Sequence, residues 1–166
     1  MTTSGRSTRA ALSAAALCTA FFAAGCGRGV EYGSFAHTPA DGWRRGDSVE
    51  LALGPVERGG LYSLGLSVRA DASYPFGEMA VVVATNTPSG GVRTTDTILL
   101  RMADSRGKTG RGVAYLQHDR RVADVVLAPG DSLQVSVCHG MARSPLPGIR
   151  DIGAVLRLEK ETGLGK

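Results

Sequence analysis

The sequence predicts an all-β protein: an antiparallel β-sandwich, Ig-like or jelly-roll-like, of about seven to nine strands, preceded by a lipoprotein signal peptide. Three observations predict this fold. Apolar and polar residues alternate with a period of two in several short segments. Glycine, proline and aspartate cluster between those segments, as turn residues do. Glycine accounts for 23 of the 166 residues without a Gly-X-Y period, which disfavours a helical bundle and excludes collagen.

The N-terminal segment has the composition of a bacterial lipoprotein leader. Arg6 and Arg9 form a positive n-region, and Ala10–Ala24 is a run of apolar and small residues too short to span a bilayer. The run ends in the lipobox Ala23-Ala24-Gly25-Cys26, whose small residues suit a signal peptidase cleft. We therefore expect residues 1–25 to be cleaved and the thiol of Cys26 to carry the lipid.

Cleavage changes the charge and the cysteine content. The leader holds two of the 19 basic residues and none of the 15 acidic ones, so the net charge falls from +4 to +2. No basic stripe with interleaved aromatic residues is present, and we expect no nucleic-acid binding. Cys18 leaves with the leader and Cys26 takes the lipid, so Cys138 has no intrachain partner and no disulfide is expected.

The residues after Cys26 favour the outer membrane. Position 27 is Gly rather than the Asp that favours inner-membrane retention, and no acidic run follows that would indicate surface export. We expect a protein held to the outer membrane by its lipid anchor, on the periplasmic face. For the rest of the chain we expect a tether over residues 26–44, a sandwich domain over 45–160 and a disordered tail over 161–166.

Alternation predicts the strands in chain order. In Leu61–Ala70, apolar residues occupy one face and Ser, Gly and Arg the other, which is typical of a strand with one buried face. Val113–Ala128 also has helical spacing of its valines, but two short strands are favoured there. The predicted strands are Ser48–Leu53, Leu61–Ala70, Met79–Thr85, Thr94–Ala103, Ala114–His118, Ala123–Leu127, Ser132–His139 and Ile152–Glu159. The predicted core comprises Val49, Leu51, Leu64, Leu66, Val81, Val83, Leu133, Val135, Val137, Leu156 and Leu158.

Side chains arranged for catalysis or metal binding are sparse. Adjacent residues of a strand point to opposite faces, so Cys138 and His139 are poorly placed to share a metal, and CxxC and HExxH motifs are absent. We expect one inward, hydrogen-bonded histidine with the thiol on the opposite face. The glycines of Gly107–Gly112 lack the Lys and Ser/Thr of a phosphate loop, and no nucleophile elbow is present. The sequence therefore predicts no metal, no cofactor and no enzymatic activity.

One candidate for partner binding is the stretch 139–153, interpreted as a crossover loop between the last two strands. Its prolines stiffen it, and Arg143 and Arg150 could bind acidic groups. Under the alternative interpretation the loop covers one end of the core through Leu146 and Ile149, and the arginines stay solvated.

A second candidate is the pair Tyr74 and Phe76, which flank Pro75. A proline corner can present both rings to a ligand. Under the alternative interpretation the two rings fill one end of the sandwich as packing residues.

Several short motifs follow one another over about residues 26–160. They are Cys26, Gly42-Trp43 with Asp47-Ser48, Val68-Arg69, Tyr74-Pro75-Phe76, Arg93-Thr94-Thr95-Asp96-Thr97, Gly110-x-Gly112, Ala114-Tyr115-Leu116-Gln117-His118, Pro129-Gly130-Asp131-Ser132-Leu133, His139-x-Met141-x-Arg143 and Leu146-Pro147-Gly148-Ile149-x-Asp151-Ile152-Gly153. In this order they resemble the gliding-motility lipoprotein GldH family of Gram-negative bacteria. The resemblance implies an outer-membrane-associated lipoprotein linked to gliding and to the companion type IX secretion machinery, and it supplies no catalytic residues.

We therefore expect a non-catalytic, lipid-anchored accessory of a gliding or secretion-type envelope complex, with protein partners. The alternative is a lipid-anchored glycan- or peptide-binding module. That module would need exposed aromatic rings, for which Trp43, Tyr74 and Tyr115 are the candidates.

Overall fold

The computed structural model describes residues 31–87, 92–102 and 116–162, which form eight strands. The strands are β1 (Glu31–His37), β2 (Val49–Leu53), β3 (Gly60–Ala70), β4 (Glu78–Thr87), β5 (Val92–Arg101), β6 (Leu116–Leu127), β7 (Leu133–His139) and β8 (Ile149–Glu161). Over these ranges the structure contains no helix long and apolar enough to cross a membrane. The leader, Cys26 and the glycine-rich segment Gly107–Gly112 lie outside the described residues.

The strands form two four-stranded antiparallel sheets. Sheet 1 has the order β1-β8-β3-β6, and sheet 2 has the order β2-β7-β4-β5. Eight strands divided between two sheets in this order make a jelly roll. The prediction of an antiparallel sandwich is confirmed, and the strand order selects the jelly roll over the Ig-like alternative.

The core lies between the sheets and follows from the alternation. In β2 every second residue is buried, and the same holds along β7. Of the predicted core residues all are buried except Leu158, which is partly buried beside the core. Burying a Val or Leu side chain contributes roughly 1.5–3 kcal/mol, so the inner faces of the strands account for most of the stabilisation.

Three connections meet at one end of the sandwich, which we call the loop end. They are 38–48 between β1 and β2, 71–77 between β3 and β4, and 140–148 between β7 and β8. Trp43 and Leu146 form an isolated β-bridge between two of them. The amide of Asp71 joins the third by donating to the carbonyl of Gly148 at 2.8 Å.

The opposite end, which we call the terminal end, carries both ends of the described chain. The amide of Thr162 donates to Gly59 at 3.0 Å, and the amide of Val56 donates to Asp131 at 2.8 Å. The first bond links the end of β8 to the β2–β3 connection, and the second links that connection to the β6–β7 connection. Because β1 runs antiparallel to β8, Glu31 lies beside Arg157 at this same end.

The tether predicted over residues 26–44 is wrong from residue 31 onward. Glu31–His37 forms β1, whose seven residues pair with β8 in continuous register. Tyr32 and Ala36 pack against the core, and Trp43 is fully buried. The domain therefore includes at least the 14 residues before the predicted boundary at residue 45. At the other end, Glu161 still belongs to β8, and residues 163–166 lie outside the described residues.

Two further strand boundaries differ from the prediction. The two short strands expected near Ala114–His118 and Ala123–Leu127 are one strand, β6, whose pairing with β3 shifts register between Leu64 and Gly65. The extra residue of this bulge accounts for the irregular valine spacing. β8 begins at Ile149, so the second part of the predicted crossover loop is strand and the connection is limited to 140–148.

Candidate functional site

The loop end holds Arg143, Arg150, Tyr74 and Phe76, the side chains singled out in the sequence for partner binding, and its centre is the bridge between Trp43 and Leu146. The two residues exchange backbone hydrogen bonds of 3.0 and 2.7 Å, and both side chains are fully buried. Gly42, with φ of 110°, permits the approach, because a Cβ at this position would lie 2.9 Å from the Cβ of Pro145. Leu146 and Ile149 therefore cap the core, as the alternative interpretation of the loop predicted.

His139 lies beneath this bridge. Its Nε2 is 3.0 Å from the carbonyl oxygen of Trp43, and the two rings meet edge to face with centroids 5.1 Å apart. Burial lowers the pKa of His139, so the ring is neutral near pH 7 and its Nε2–H can donate to that carbonyl. Its Nδ1 has no hydrogen-bond partner among the described residues. The prediction of an inward, hydrogen-bonded histidine is confirmed, and Cys138 is a partly exposed free thiol on the other face.

The 140–148 connection is also held from the neighbouring connection by Arg45. Its Nη2 donates to the carbonyls of Met141 and Ala142, both at 2.6 Å, and its Nε donates to Met141 at 3.0 Å. The amide of Arg45 donates to the Ser144 hydroxyl at 3.1 Å. Arg143 lies between these fixed residues and is exposed. Because Arg45 holds the 140–148 connection in place through these hydrogen bonds, we call this connection the braced loop. It presents Arg143 to solvent.

Arg150 differs from Arg143 because it has an ionic partner. Its Nη2 and Nε lie 2.5 and 2.6 Å from Oδ2 of Asp71. Burial raises the pKa of Asp71, but hydrogen bonds from Ser73 and Arg150 outweigh it and hold the pKa below its ordinary value. The alternative interpretation, in which both arginines stay solvated, is therefore wrong for Arg150, because its charge ties β8 to the β3–β4 connection. Partner binding by Arg150 stays a prediction.

Tyr74 is buried, and this contradicts its prediction as a ligand platform. Its hydroxyl donates to the carbonyl of Glu78 at 2.8 Å, and burial raises its pKa to about 12. Phe76 packs edge to face against it with a centroid distance of 5.7 Å and is partly buried. Gly148, with φ of 78°, lets the loop backbone lie directly over Tyr74. The rings fill the end of the sandwich, as the alternative interpretation predicted.

The glycan- or peptide-binding alternative required exposed rings. Trp43 and Tyr74 are both buried, and the third candidate, Tyr115, lies outside the described residues. Within the described parts of the chain no group of His, Cys, Asp and Glu is arranged to hold a metal ion. The loop end thus offers hydrogen-bond and ionic contacts through Arg143, and no ring platform among its described residues.

Sequence reasoning missed a second cluster, on the outer face of sheet 1. Phe35 is 43% exposed and lies over Gly153, where any Cβ would collide with its ring. The guanidinium carbon of Arg69 is 4.6 Å from the ring centroid, within cation–π range. Arg69 also approaches Asp151 at 3.8 Å, and His37 contacts the same carboxylate. Because β1 was predicted as tether, nothing in the sequence placed Phe35 and His37 on this sheet.

Next to this cluster the outer face of sheet 1 forms a shallow furrow. Its floor consists of small residues of β3, and its walls carry Asp119, Arg121, Arg157 and Glu159, around a volume of about 200 Å³. The charges are already paired in part, since Arg121 contacts both Asp124 and Glu159. Because these charges are partly paired with one another, the furrow by itself does not identify a ligand.

Comparison with known families gives a match over most of the chain. The family model described as GldH lipoprotein matches residues 30–156, which is most of the chain and nearly all of the described domain. No curated protein sequence matches the chain.

Solved structures of similar shape are distant. The globular domain of zebrafish complement 1qA is 9% identical with a TM-score of 0.44, over 81% of this chain and 99% of that one. Eiger TNF from S. frugiperda is 11% identical with a TM-score of 0.37, over 84% and 98%. Murine APRIL is 18% identical with a TM-score of 0.33, over 78% and 100%. The jelly-roll assignment rests on the strand order and not on these values.

Proposed function

The chain belongs to the GldH lipoprotein family, and we propose that it is a non-catalytic accessory of a gliding-motility or type IX secretion-type envelope complex. In this proposal the lipidated Cys26 anchors the protein in the outer membrane, and the jelly-roll domain lies on the periplasmic side. The observation that carries the proposal is the family match over residues 30–156, directly after a leader that ends in a lipobox. Protein partners, rather than a substrate, are then what the domain binds.

The position of the N-terminus supports a definite orientation. Cys26 precedes Glu31 by five residues, which span at most about 18 Å when extended. Because Glu31 lies at the terminal end, a lipid on Cys26 would hold that end close to the bilayer. The 13-residue β8 extends about 40 Å towards the other end. In this orientation the loop end, with Arg143, faces away from the membrane and towards periplasmic partners.

The anchor is tested by the change Cys26→Ser in the full chain. We expect the variant to lose incorporation of labelled palmitate and to leave the outer-membrane fraction, because acyl chains contribute ~0.8 kcal/mol per buried CH₂. Cys138→Ser is the matched control, since Cys138 is a free cysteine within the domain and its loss should change neither readout. A Cys26→Ser variant that is still labelled and stays in the outer membrane would contradict the proposal.

The accessory role is tested by co-purification of the wild-type lipidated protein from native membranes under mild crosslinking. We expect stable association with other envelope proteins. A wild-type protein that is anchored but associates with none of them would contradict the accessory role and leave the anchor intact.

A further inference from the structure

Along one side of the sandwich each sheet ends in an edge strand. β5 is the last strand of sheet 2 and β6 is the last strand of sheet 1, so each pairs with another described strand along one edge only. At the end of β5, the Arg101 backbone also has a hydrogen bond with the His118 side chain of β6. An edge strand exposes a row of backbone N–H and C=O groups that can pair with another strand. The two edges differ in how well their side chains prevent such pairing.

The β6 edge is protected. Its pairing with β3 contains a bulge, which bends and twists the strand. Arg120 pairs with Leu66 and so faces the same side as the core, and Asp119 and Arg121 add charges on the other face. Bulges and inward charges on an edge strand are the devices by which natural proteins avoid unwanted strand addition.

The β5 edge has a regular backbone and few charges. Its ten residues pair with β4 in unbroken register from Val92 to Arg101. The segment Thr94–Leu99 consists of β-branched and leucine residues with a single charge, Asp96. β-branched residues are enriched in strands, so this ten-residue edge with its unbroken register is chemically suited to pairing.

A cleft lies beside this edge, between the sheets. Its volume is about 350 Å³, and it is lined by Thr85, Thr87, Thr94, Asp96, Ala123, Asp124, Val125, Val126 and Asp131. Asp96 pairs with Val83 of the core, so its carboxylate is on the inner face of β5 and faces the cleft side. Ala123 and Val125 pair with Leu64 and Tyr62 of the core, so their side chains face the cleft from the β6 side. The cleft thus offers an apolar wall, hydroxyl groups and negative charge to whatever lies along β5.

We propose that the β5 edge binds an extended segment of a partner polypeptide as a fifth strand of sheet 2. Alternate side chains of the added strand would enter the cleft, which has room for aliphatic groups against Ala123 and Val125. A Lys or Arg opposite Asp96 would be favoured, because this carboxylate has no ion pair with the described residues and opposite charges across strands attract. The inference rests on the proposed function for the presence of a protein partner and specifies how that partner is bound.

Charge pattern disfavours a second copy of β5 as this strand. The residues that face each other in an antiparallel pair lie on the same face of the sheet. Among the self-pairing registers that keep the inner faces of both copies on the same side of the sheet, two join the most residues: one places Arg93 opposite Arg101 and the other places Asp96 opposite Asp96 of the other copy. Like charges directly opposite each other destabilise the pair. A strand of another protein with a Lys or Arg opposite Asp96 would bring neither of these like-charged pairs together.

The binding chemistry is tested with defined peptides on the full-length, lipidated protein in detergent. The probe is the capped peptide Thr-Val-Thr-Lys-Thr-Val-Thr, and its control replaces Lys with Glu. We expect the Lys peptide to slow amide hydrogen exchange in residues 92–101 and to leave residues 116–127 unchanged, with the Glu peptide binding about five-fold more weakly. Asp96→Lys, checked for unchanged melting, should reverse the preference. Absence of protection at millimolar peptide, equal binding of both peptides, or protection of β6 would overturn the proposal.

The occupant is tested in native membranes with a photocrosslinking residue at Thr97, and at Gln134 on sheet 2 as a control. The expected product joins Thr97 to a segment of another protein that carries a Lys or Arg. The crosslinked product should be lost with Asp96→Lys, and it should return when the Lys or Arg of the partner segment is also changed to Asp. A crosslink to residues 103–115 of the same chain or to a second copy would overturn the inference. If position 97 gives no crosslink to another protein although the chain still co-purifies with envelope proteins, binding at the β5 edge is contradicted and the proposed function stands.

Discussion

Arg143 and Arg150 lie seven positions apart in one proline-containing stretch, yet the structure uses them differently. Arg143 sits in the 140–148 connection and is exposed. Arg150 sits in β8, and its guanidinium is held by Asp71 at 2.5 Å. One cation faces solvent from a braced loop, and the other holds two elements of the fold together.

The difference shows that what a cation does at the loop end depends on what lies opposite it. Arg45 is a third case, since its guanidinium is taken up by the carbonyls of Met141 and Ala142. For Arg45 and Arg150 the partner comes from a distant part of the sequence. The following changes test whether the other residues of the loop end stabilise the fold while Arg143 is the one that binds a partner.

The largest effect is expected for Leu146→Ala. This side chain is fully buried at the β-bridge with Trp43. Its truncation leaves a cavity, and the hydrogen bonds between the 38–48 and 140–148 connections keep the backbone from moving in to fill it. We expect a loss of about 3–4 kcal/mol in the free energy of unfolding, measured by chemical denaturation. Leu99→Ala is the control, because Leu99 is 54% exposed and should change stability by less than about 0.5 kcal/mol. Equal losses in the two variants would show that Leu146 does not cap the core.

Gly148→Ala is expected to rank second. Gly148 has φ of 78°, and a Cβ there would collide with the backbone of Tyr74. Gly130→Ala is the matched control, since Gly130 has φ of 88° but nothing within 4 Å of the added Cβ. We expect about 1 kcal/mol for Gly130, from backbone strain alone, and about 2–3 kcal/mol for Gly148. If melting shifts equally in both, the close packing over Tyr74 is not what requires glycine.

The Asp71–Arg150 pair is expected to contribute less, and in a pH-dependent way. Arg150→Ala should cost about 1 kcal/mol at pH 7, since the guanidinium is partly exposed. The pKa of Asp71 is lowered in the folded state, so the pair stabilises the fold above the ordinary value of about 4 and loses this contribution as the pH falls through the lower folded value. Denaturation of wild type and variant from pH 7 to pH 2 should show the difference shrinking only at the acid end.

Arg44→Ala is the control for this pair. Arg44 contacts Asp41 at 2.6 Å, but both side chains are more than half exposed. Its loss should change the free energy of unfolding less than the loss of Arg150. A difference between wild type and Arg150→Ala that stays constant down to pH 2 would show that the ion pair is not the source of the effect.

Elements with local signals could be predicted from the sequence, and those that depend on distant partners could not. The eleven residues of β3 alternate clearly, so both the strand and its buried face were predicted. β1 contains Gly33, Ser34 and Ala36, which carry little alternation, and it is held by β8, which begins more than 100 residues later. Its omission concealed the cluster of Phe35 with Arg69. The pairing of Arg150 with Asp71 spans 79 positions and has no local signature.

The smallest effect on stability, and the largest on association, is expected for Arg143. Its exposed side chain has no hydrogen bond or ion pair to lose within the described structure, so Arg143→Ala should change the free energy of unfolding by less than about 0.5 kcal/mol. Because the braced loop already fixes its position, a partner's carboxylate could bind it with little loss of conformational entropy. We expect reduced co-purification of envelope proteins with Arg143→Ala, and partial recovery with Arg143→Lys, which keeps the charge but not the bidentate geometry. Arg58→Ala at the terminal end is the control, because that exposed arginine would face the membrane side and its loss should not affect co-purification. If Arg143→Ala melts normally and retains every native partner, Arg143 is only a solvated residue of the loop, and partner binding must be sought elsewhere on the domain.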